Sequence, residues 1–281
     1  MSATTGKTLT GKVALVTGSS RGIGAAIATR LASHGANVII NYVSSESAAE
    51  AVAANARSFG IKAITVKADV SKAEEITNMF QTAKAEFGRL DIVMSNSGIE
   101  HFGELDQIKE EEIERVLSVN VKAQFIMAQQ AHKHLEEGGR LILISSISAV
   151  MVSSIFILVP EIQLTREKGI PNHALYSASK AAIQGMVKSL AWDFGSRKIT
   201  VNCIAPGGIK TDMYADAAAK YLPGGDKMTV EEIDAKISQW SPMGRPGFPE
   251  DIAGVVALLA SPEAQWITGQ TVHASGGAHM V

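Results

Sequence analysis

The residues with the clearest chemical use are Tyr176 and Lys180, four positions apart in Tyr-Ser-Ala-Ser-Lys at the head of a run with helical periodicity. That spacing projects both side chains from one helical face. An ammonium beside a phenol favours the phenolate, so the tyrosine pKa is expected to fall toward neutrality. Tyr176 would then serve as a general acid, protonating a carbonyl oxygen as hydride reaches the carbon. Lys180 would also hold the ribose of a nicotinamide. Ser146, just past the fifth apolar run, is placed to hydrogen-bond the developing oxyanion. Asn120, in the helical stretch before that run, is a candidate for holding a water that relays protons through Lys180. Each residue type is ordinary by itself. The weight lies in their joint occurrence, in this order, on a chain whose first turn can hold a dinucleotide.

That turn is Thr17-Gly18-Ser19-Ser20-Arg21-Gly22-Ile23-Gly24, directly after the first apolar run and opening the first helical one. Gly18 permits a tight turn and Gly22 lets the backbone approach a pyrophosphate. Gly24 lets helix and strand pack closely, with Ile23 between and the helix N-terminus facing the phosphate charge. The second apolar run ends Ile40-Asn41-Tyr42, with no carboxylate where an NAD-selective site would place one for the ribose hydroxyls. Arg21, with Ser44 and Ser45 after that run, offers a cation and hydroxyls for a 2′-phosphate. The expected cofactor is therefore NADP(H), with Asn41, Tyr42 and Ser45 at its adenosine end.

Short β-branched runs recur at 13–16, 38–40, 63–66, 92–94, 141–144, 200–204 and 270–273. Helical periodicity fills 24–34, 47–59, 73–87, 110–135, 177–195 and 249–260. This alternation predicts an α/β fold: one doubly wound Rossmann domain over 11–281, with a mainly parallel seven-stranded sheet, after a flexible polar tail at 1–10. Residues 213–240, rich in Tyr, Met and Trp, suggest a substrate lid. With 46% hydrophobic residues and net charge −2, the chain can bury a large core and lacks the basic field that nucleic acid requires. Apolar runs fall far short of the roughly 20 residues of a membrane span. No His, Cys or carboxylate cluster suggests a metal site. The lone Cys203 and a start without a signal-peptide core predict a cytoplasmic setting.

With these motifs in place, the chain resembles the classical short-chain dehydrogenases/reductases along nearly all its length. The matching segments are 17–24, Asp69-Val70, Asn96-Ser97-Gly98, Asn120, Ser146, Tyr176 with Lys180, and Pro206-Gly207-Gly208-Ile209 with Thr211. The resemblance implies that Asp69 and Val70 contact adenine. It places Asn96, Gly98, Pro206, Gly207, Ile209 and Thr211 around the cofactor, and it implies a homotetramer or dimer joined through the helices of Asn120 and Tyr176. A narrower similarity, carried by the segments 95–98, 169–176, 199–202 and 207–213 and by Tyr214 and Tyr221, is to the fungal naphthol reductases of melanin synthesis. Versicolorin-type and other polyketide reductases are close to these. It implies an aromatic ketone or polyphenol substrate lying among Ser146, Ile147, Met213, Tyr214, Tyr221, Trp240 and Met280, where flat rings gain from stacking.

One segment departs from the pattern. Ser146 and Tyr176 stand 30 positions apart, about 16 more than the family's spacing of roughly 14, and the surplus falls at 152–168, where loops accept insertions. One reading is a substrate lid. The favoured one is a translated in-frame intron: Val152-Ser153 matches a splice donor reading GTGAGT, Leu164-Thr165 suits a CTGAC branch point, and removal joins Met151 to Gly169. The apolar run 155–159 is also β-prone. Two further functions stay open: a 3-oxoacyl thioester or general ketone reductase, and an insertion-impaired, non-catalytic oligomeric relative.

Overall fold

β-branched runs bounded by glycine and polar turns become strands buried on both faces, and the stretches between them coil into covering helices. A computed structural model of the protein describes residues 7–150, 153–159 and 162–280. The strands and helices of the first half alternate as β1 (Val13–Val16), α1 (Gly22–Ser33), β2 (Asn37–Tyr42), α2 (Glu46–Arg57), β3 (Ala63–Lys67), α3 (Ala73–Phe87) and β4 (Ile92–Ser95). Then come α4 (Glu110–Leu117), a π-helical turn (Ser118–Lys122), α5 (Ala123–His134) and β5 (Arg140–Ile144). After a hairpin of β6 (Ser153–Val159) and β7 (Ile162–Lys168) the chain continues through α6 (Ala174–Gly195) and β8 (Thr200–Pro206). It ends in α7 (Asp212–Ala217), α8 (Val230–Ser238), α9 (Pro249–Ala260) and β9 (Thr271–Ala274).

Seven strands form one sheet in the order β3-β2-β1-β4-β5-β8-β9, every pairing parallel. The order reverses between β1 and β4, where a doubly wound sheet opens a crevice at the strands' carboxyl ends. One apolar layer joins the sheet to α1, α2 and α9 through Ile27, Leu31 and Val256. The other joins it to α3, α5 and α6 through Phe80, Met127, Ile183 and Phe194. The expected Rossmann sheet is thus the one observed.

Two expectations need correction. The tail is shorter than 1–10: Leu9 is 2% exposed within the core, and its N–H donates to the His34 carbonyl at 2.9 Å. Leu9 is the apolar residue that the polar composition around it concealed. Residues 1–6 lie outside the described residues. The helix expected over 110–135 is broken by the π turn at Ser118–Lys122, a local widening that re-aims the side chains it carries, Asn120 among them. In the extra segment, of which 152 and 160–161 lie outside the described residues, two strands pair with each other from Ser153↔Lys168 to Val159↔Ile162 and, among the described residues, with no other strand.

The carboxyl end of β5 is held by a side chain. Gln124, fully buried on α5, donates from Nε2 to the Ile144 carbonyl at 2.8 Å and accepts the Ile144 N–H at 2.9 Å. Gln124→Leu keeps the volume but removes the partner of the Ile144 N–H and leaves its carbonyl only Lys180 Nζ at 3.5 Å. A loss of about 2–3 kcal/mol in folding stability is expected, read by urea denaturation; an unchanged midpoint would show that Gln124 is dispensable.

Candidate active site

The crevice between β1 and β4 continues under α7 and α8 into a cleft of about 1500 Å³. At its closed end the glycine turn is braced from below. Gly18 and Gly22 adopt positive φ (58° and 55°), which the turn requires of glycine. A Cβ on Gly24 would stand 2.3 Å from the Gly18 carbonyl oxygen, so only glycine lets α1 come this close. Asn96 Nδ2 donates to the Thr17 and Gly18 carbonyls, and Thr17 Oγ1 accepts the N–H groups of Asn96 and Ser97 at 2.9 and 3.0 Å. The first turn of α1 carries no acidic residue and no side-chain cap. Its free N–H groups and positive dipole end are therefore open to phosphate, and Gly18, Arg21, Gly22, Ile23 and Gly24 line the cleft.

Around this cradle the expected cofactor positions divide. Tyr42, Ser45, Asp69, Val70, Asn96, Gly98, Pro206, Gly207, Ile209 and Thr211 all line the cleft. Asn41 does not: it is fully buried, accepting the Gly18 N–H on Oδ1 at 3.0 Å and donating from Nδ2 to the Ala68 carbonyl at 2.9 Å. It supports the turn instead of facing a ribose. Arg21, expected to be free for a 2′-phosphate, reaches across the cleft mouth to Asp212 at 3.2 Å, with both side chains largely exposed.

Tyr176 and Lys180 sit where the first turns of α6 meet the end of β5. Tyr176 is 6% exposed and Lys180 3%, with Lys180 Nζ over the phenol ring at 5.5 Å from its centroid. Burial dominates both groups. It drives the Tyr176 pKa well above the usual phenol value, the charges of Glu100 and Tyr221 push the same way, and a neighbouring Ser146 side chain opposes them. Burial thus shifts the phenol upward, against the expected depression. Burial lowers Lys180 to about 8. Ser145 Oγ donates to the Lys180 carbonyl at 2.8 Å, tying α6 to the strand end, and Ser146 lines the cleft beside Tyr176.

Asn120 braces this site. Its side chain is buried, accepting the Ile99 N–H on Oδ1 and donating from Nδ2 to the Ile99 carbonyl, both at 2.9 Å, and to Ser179 Oγ at 3.0 Å. With both amide protons and one oxygen lone pair engaged, it clamps the loop after β4 to α6. A Cβ on Gly98 would come within 3.0 Å of Lys180 Nζ and 3.4 Å of Asn120 Oδ1, so this loop is threaded against the pair.

Of the substrate positions, Ile147, Met213, Tyr214, Tyr221 and Trp240 line the cleft. Met280 does not, and is 71% exposed. The lid has a small core of its own, Ala218, Leu222, Ile233 and Ile237, against which Tyr214 and Trp240 pack. Tyr214 O–H donates to Asp234 at 2.7 Å. The sequence reading missed Glu100, Phe102 and His173. The Tyr221 hydroxyl lies 3.3 Å from Glu100 and 3.2 Å from His173, and the His173 ring lies 4.7 Å from that of Tyr176. No local pattern marks these residues; only their adjacency to the segments around Asn96 and Tyr176 could have drawn notice.

A family model described as short chain dehydrogenase matches residues 12–158, and one described as enoyl-(acyl carrier protein) reductase matches 162–279. The hydroxynaphthalene reductase-like protein Arp2 of Metarhizium guizhouense is 47% identical over 98% of this chain and 97% of its own. A probable tetrahydroxynaphthalene reductase of Zymoseptoria tritici is 47% identical over 97% of this chain and 96% of its own. A short chain dehydrogenase from Burkholderia cenocepacia, solved in complex with NADP, is 38% identical with a TM-score of 0.81, over 96% of this chain and 99% of that one. A braced glycine turn, a buried Tyr176–Lys180 pair and this extent of similarity lead to one conclusion: the chain belongs to the short-chain dehydrogenase/reductase family.

Proposed function

We propose that the protein is an NADPH-dependent reductase of a carbonyl on a polyhydroxynaphthalene-like or related polyketide substrate. The observation that carries this reading is the single cleft shared by the open α1 N-terminus, the Tyr176–Lys180 pair and a wall of aromatic rings. The naphthol-reductase names of the relatives support it, and the NADP-bound neighbour supports the cofactor. Gly18, Gly22 and Gly24 fit a pyrophosphate, because their turn offers backbone N–H groups with no side chain in the way. Arg21, released from Asp212, and Ser45 would take the 2′-phosphate.

Bound NADPH supplies the hydride. Tyr176 donates its proton to the carbonyl oxygen, a role that suits a phenol kept neutral by burial. Ser146 donates a hydrogen bond to the same oxygen and so stabilises charge that develops only in the transition state. Lys180, charged below about 8, stabilises that charge and holds the ribose. Two copies would associate through α5 and α6, which expose Phe125 and Trp192.

The insertion is assigned, as in the sequence reading, to a translated intron in preference to a lid. Its strands leave and return at the pair Ser153↔Lys168, so excision leaves neighbouring ends to rejoin. Removal of 152–168 should leave the melting temperature unchanged or higher and raise turnover; loss of turnover would establish the lid instead. Absorbance loss at the nicotinamide band, with a naphthol substrate against a β-ketoacyl thioester, tests the substrate class.

Tyr176→Phe should cut the reduction rate by about 10²–10⁴-fold while NADPH still binds saturably by fluorescence; retention of half the rate would remove Tyr176 from the chemistry. The Lys180 pKa is lowered, so the ammonium is present below about 8 and lost above it. In the reducing direction kcat/KM should decline above that pH, and Lys180→Gln should abolish the step.

A further inference from the structure

Three segments that meet beside Tyr176 bring together polar groups that the chemistry above does not use. Glu100 comes from the loop after β4, His173 stands at the N-terminus of α6, and Tyr221 ends the short turn Ala218–Tyr221 of the lid. Glu100 Oε1 lies 3.3 Å from His173 Nε2 and is buried without a hydrogen-bond donor among the described residues. Its Oε2 lies 3.3 Å from the Tyr221 hydroxyl, which also lies 3.2 Å from His173 Nε2. His173 is fully buried, and its Nδ1 stands 3.0 Å from the His101 carbonyl. A carbonyl only accepts, so the ring proton is assigned to Nδ1 and Nε2 is a bare acceptor.

Counting protons decides the state of the carboxyl. As a carboxylate it would set Oε1 against the lone pair of Nε2, two acceptors 3.3 Å apart, while Tyr221 had one proton for both residues. Unmet buried acceptors are costly. As the neutral acid, Glu100 donates from Oε1 to Nε2 and accepts the Tyr221 proton on Oε2, which satisfies all three side chains. An imidazolium–carboxylate pair would fill the same contacts, but burial disfavours both of its charges. It pushes His173 down to about 4 and Glu100 up to about 7, so the proton rests on the carboxyl. The groups facing Glu100 are His101 beside it, His173, Tyr176 and Lys180 from α6 and its N-terminus, and Lys220 and Tyr221 from the lid. Both lysines pull its pKa down, and burial outweighs them.

We infer that Glu100 and His173 are positioning residues that share one carboxyl proton between Oε1 and Nε2, and that this proton fixes Tyr221, and with it the lid, over the substrate end of the cleft. The loop carrying Glu100 is tied to the segment before α6 by the Gly103 N–H, which donates to the Asn172 carbonyl at 2.9 Å. Tyr221 joins the lid to that pair of segments. Phe102 fills the angle between them, edge-on to Tyr221 at 5.0 Å and 4.3 Å from the His173 ring. The His173 ring in turn lies 4.7 Å from that of Tyr176, so the latch packs directly against the proton donor. Its role in closing a cleft for reduction rests on the reductase reading above, whereas the shared proton itself does not. With the lid closed the carboxyl titrates at about 7; with Tyr221 lifted away and water admitted it returns toward its ordinary value of 4.5. The closed form therefore holds a proton that the open form releases. Closure weakens as pH rises between those two values and levels off above the higher one.

Both parts are measured on the full chain without substrate. In an infrared titration a carboxylic-acid carbonyl band should persist at about pH 6, fade as pH rises through about 7, and be missing from Glu100→Gln. Glutamine donates to Nε2 and accepts from Tyr221, so this variant copies the protonated acid at every pH. Hydrogen exchange of the lid amides over 213–240, followed by mass spectrometry, then reads closure. The ratio of native to Glu100→Gln exchange rates, in which base catalysis of exchange cancels, should rise about 10-fold between about pH 6 and about pH 8. Glu100→Ala, with neither donor nor acceptor, should exchange faster than Glu100→Gln at both pH values. A native spectrum without an acid band that Glu100→Gln removes overturns the shared proton. A rate ratio that does not move with pH, or a Glu100→Ala lid as protected as that of Glu100→Gln, overturns the positioning role. Failure to turn over any ketone, with these spectra and rates as expected, overturns the reductase reading and leaves the shared proton standing.

Discussion

Desolvation of a phenol and an ammonium at one point of the sheet is the constraint on which the site depends. Tyr176 and Lys180 are both nearly inaccessible, and an interior position disfavours the charged form of each. The two effects run in opposite directions along the pH scale: the phenol holds its proton more tightly and the ammonium less so. A buried neutral acid beside a titratable cation is a useful state for delivering a proton to a carbonyl oxygen. Water would erase that difference, so the residues that exclude it set the state of the pair.

Burying such a pair at the rim of a sheet exposes backbone groups that no ladder can satisfy, and side-chain amides resolve this. Asn41 holds the Gly18 N–H, Asn96 the Thr17 and Gly18 carbonyls, Asn120 both backbone groups of Ile99, and Gln124 both of Ile144. A carboxamide suits this work because it donates and accepts without bringing a charge into the interior. The glycine turn, the loop after β4 and the end of β5 thus become one hydrogen-bonded frame. The π turn in the helix before β5 belongs to the same frame, since it carries Asn120.

The lid completes the cleft from the other side. Its own apolar cluster gives α7 and α8 a reason to fold over the opening, and Tyr214 and Trp240 pack against it. Tyr221 brings a hydroxyl down to Glu100 and His173. Two polar clusters joined by aromatic rings result, one at Tyr176 and Ser146, the other at Glu100, His173 and Tyr221.

Much of this was legible in the residues alone. Strand and helix periodicities are local properties of packing against a sheet, and the seven predicted strands appear within a few residues of their expected bounds. The glycine turn and the Tyr176–Lys180 spacing are equally local, because each follows from backbone geometry over a few positions. What tertiary structure alone decided is everything set by burial and by partners distant in sequence. The phenol shifts upward because of how deeply it is enclosed, which no spacing reveals. Asn41 and Asn120 became braces because the groups they satisfy, 23 and 21 positions away, arrive through the sheet. Arg21 met Asp212 across 191 positions, and Tyr221 met Glu100 across 121. Sequence determines which side chains are available and which face of an element they share; desolvation and hydrogen-bond competition exist only once the chain has closed around them.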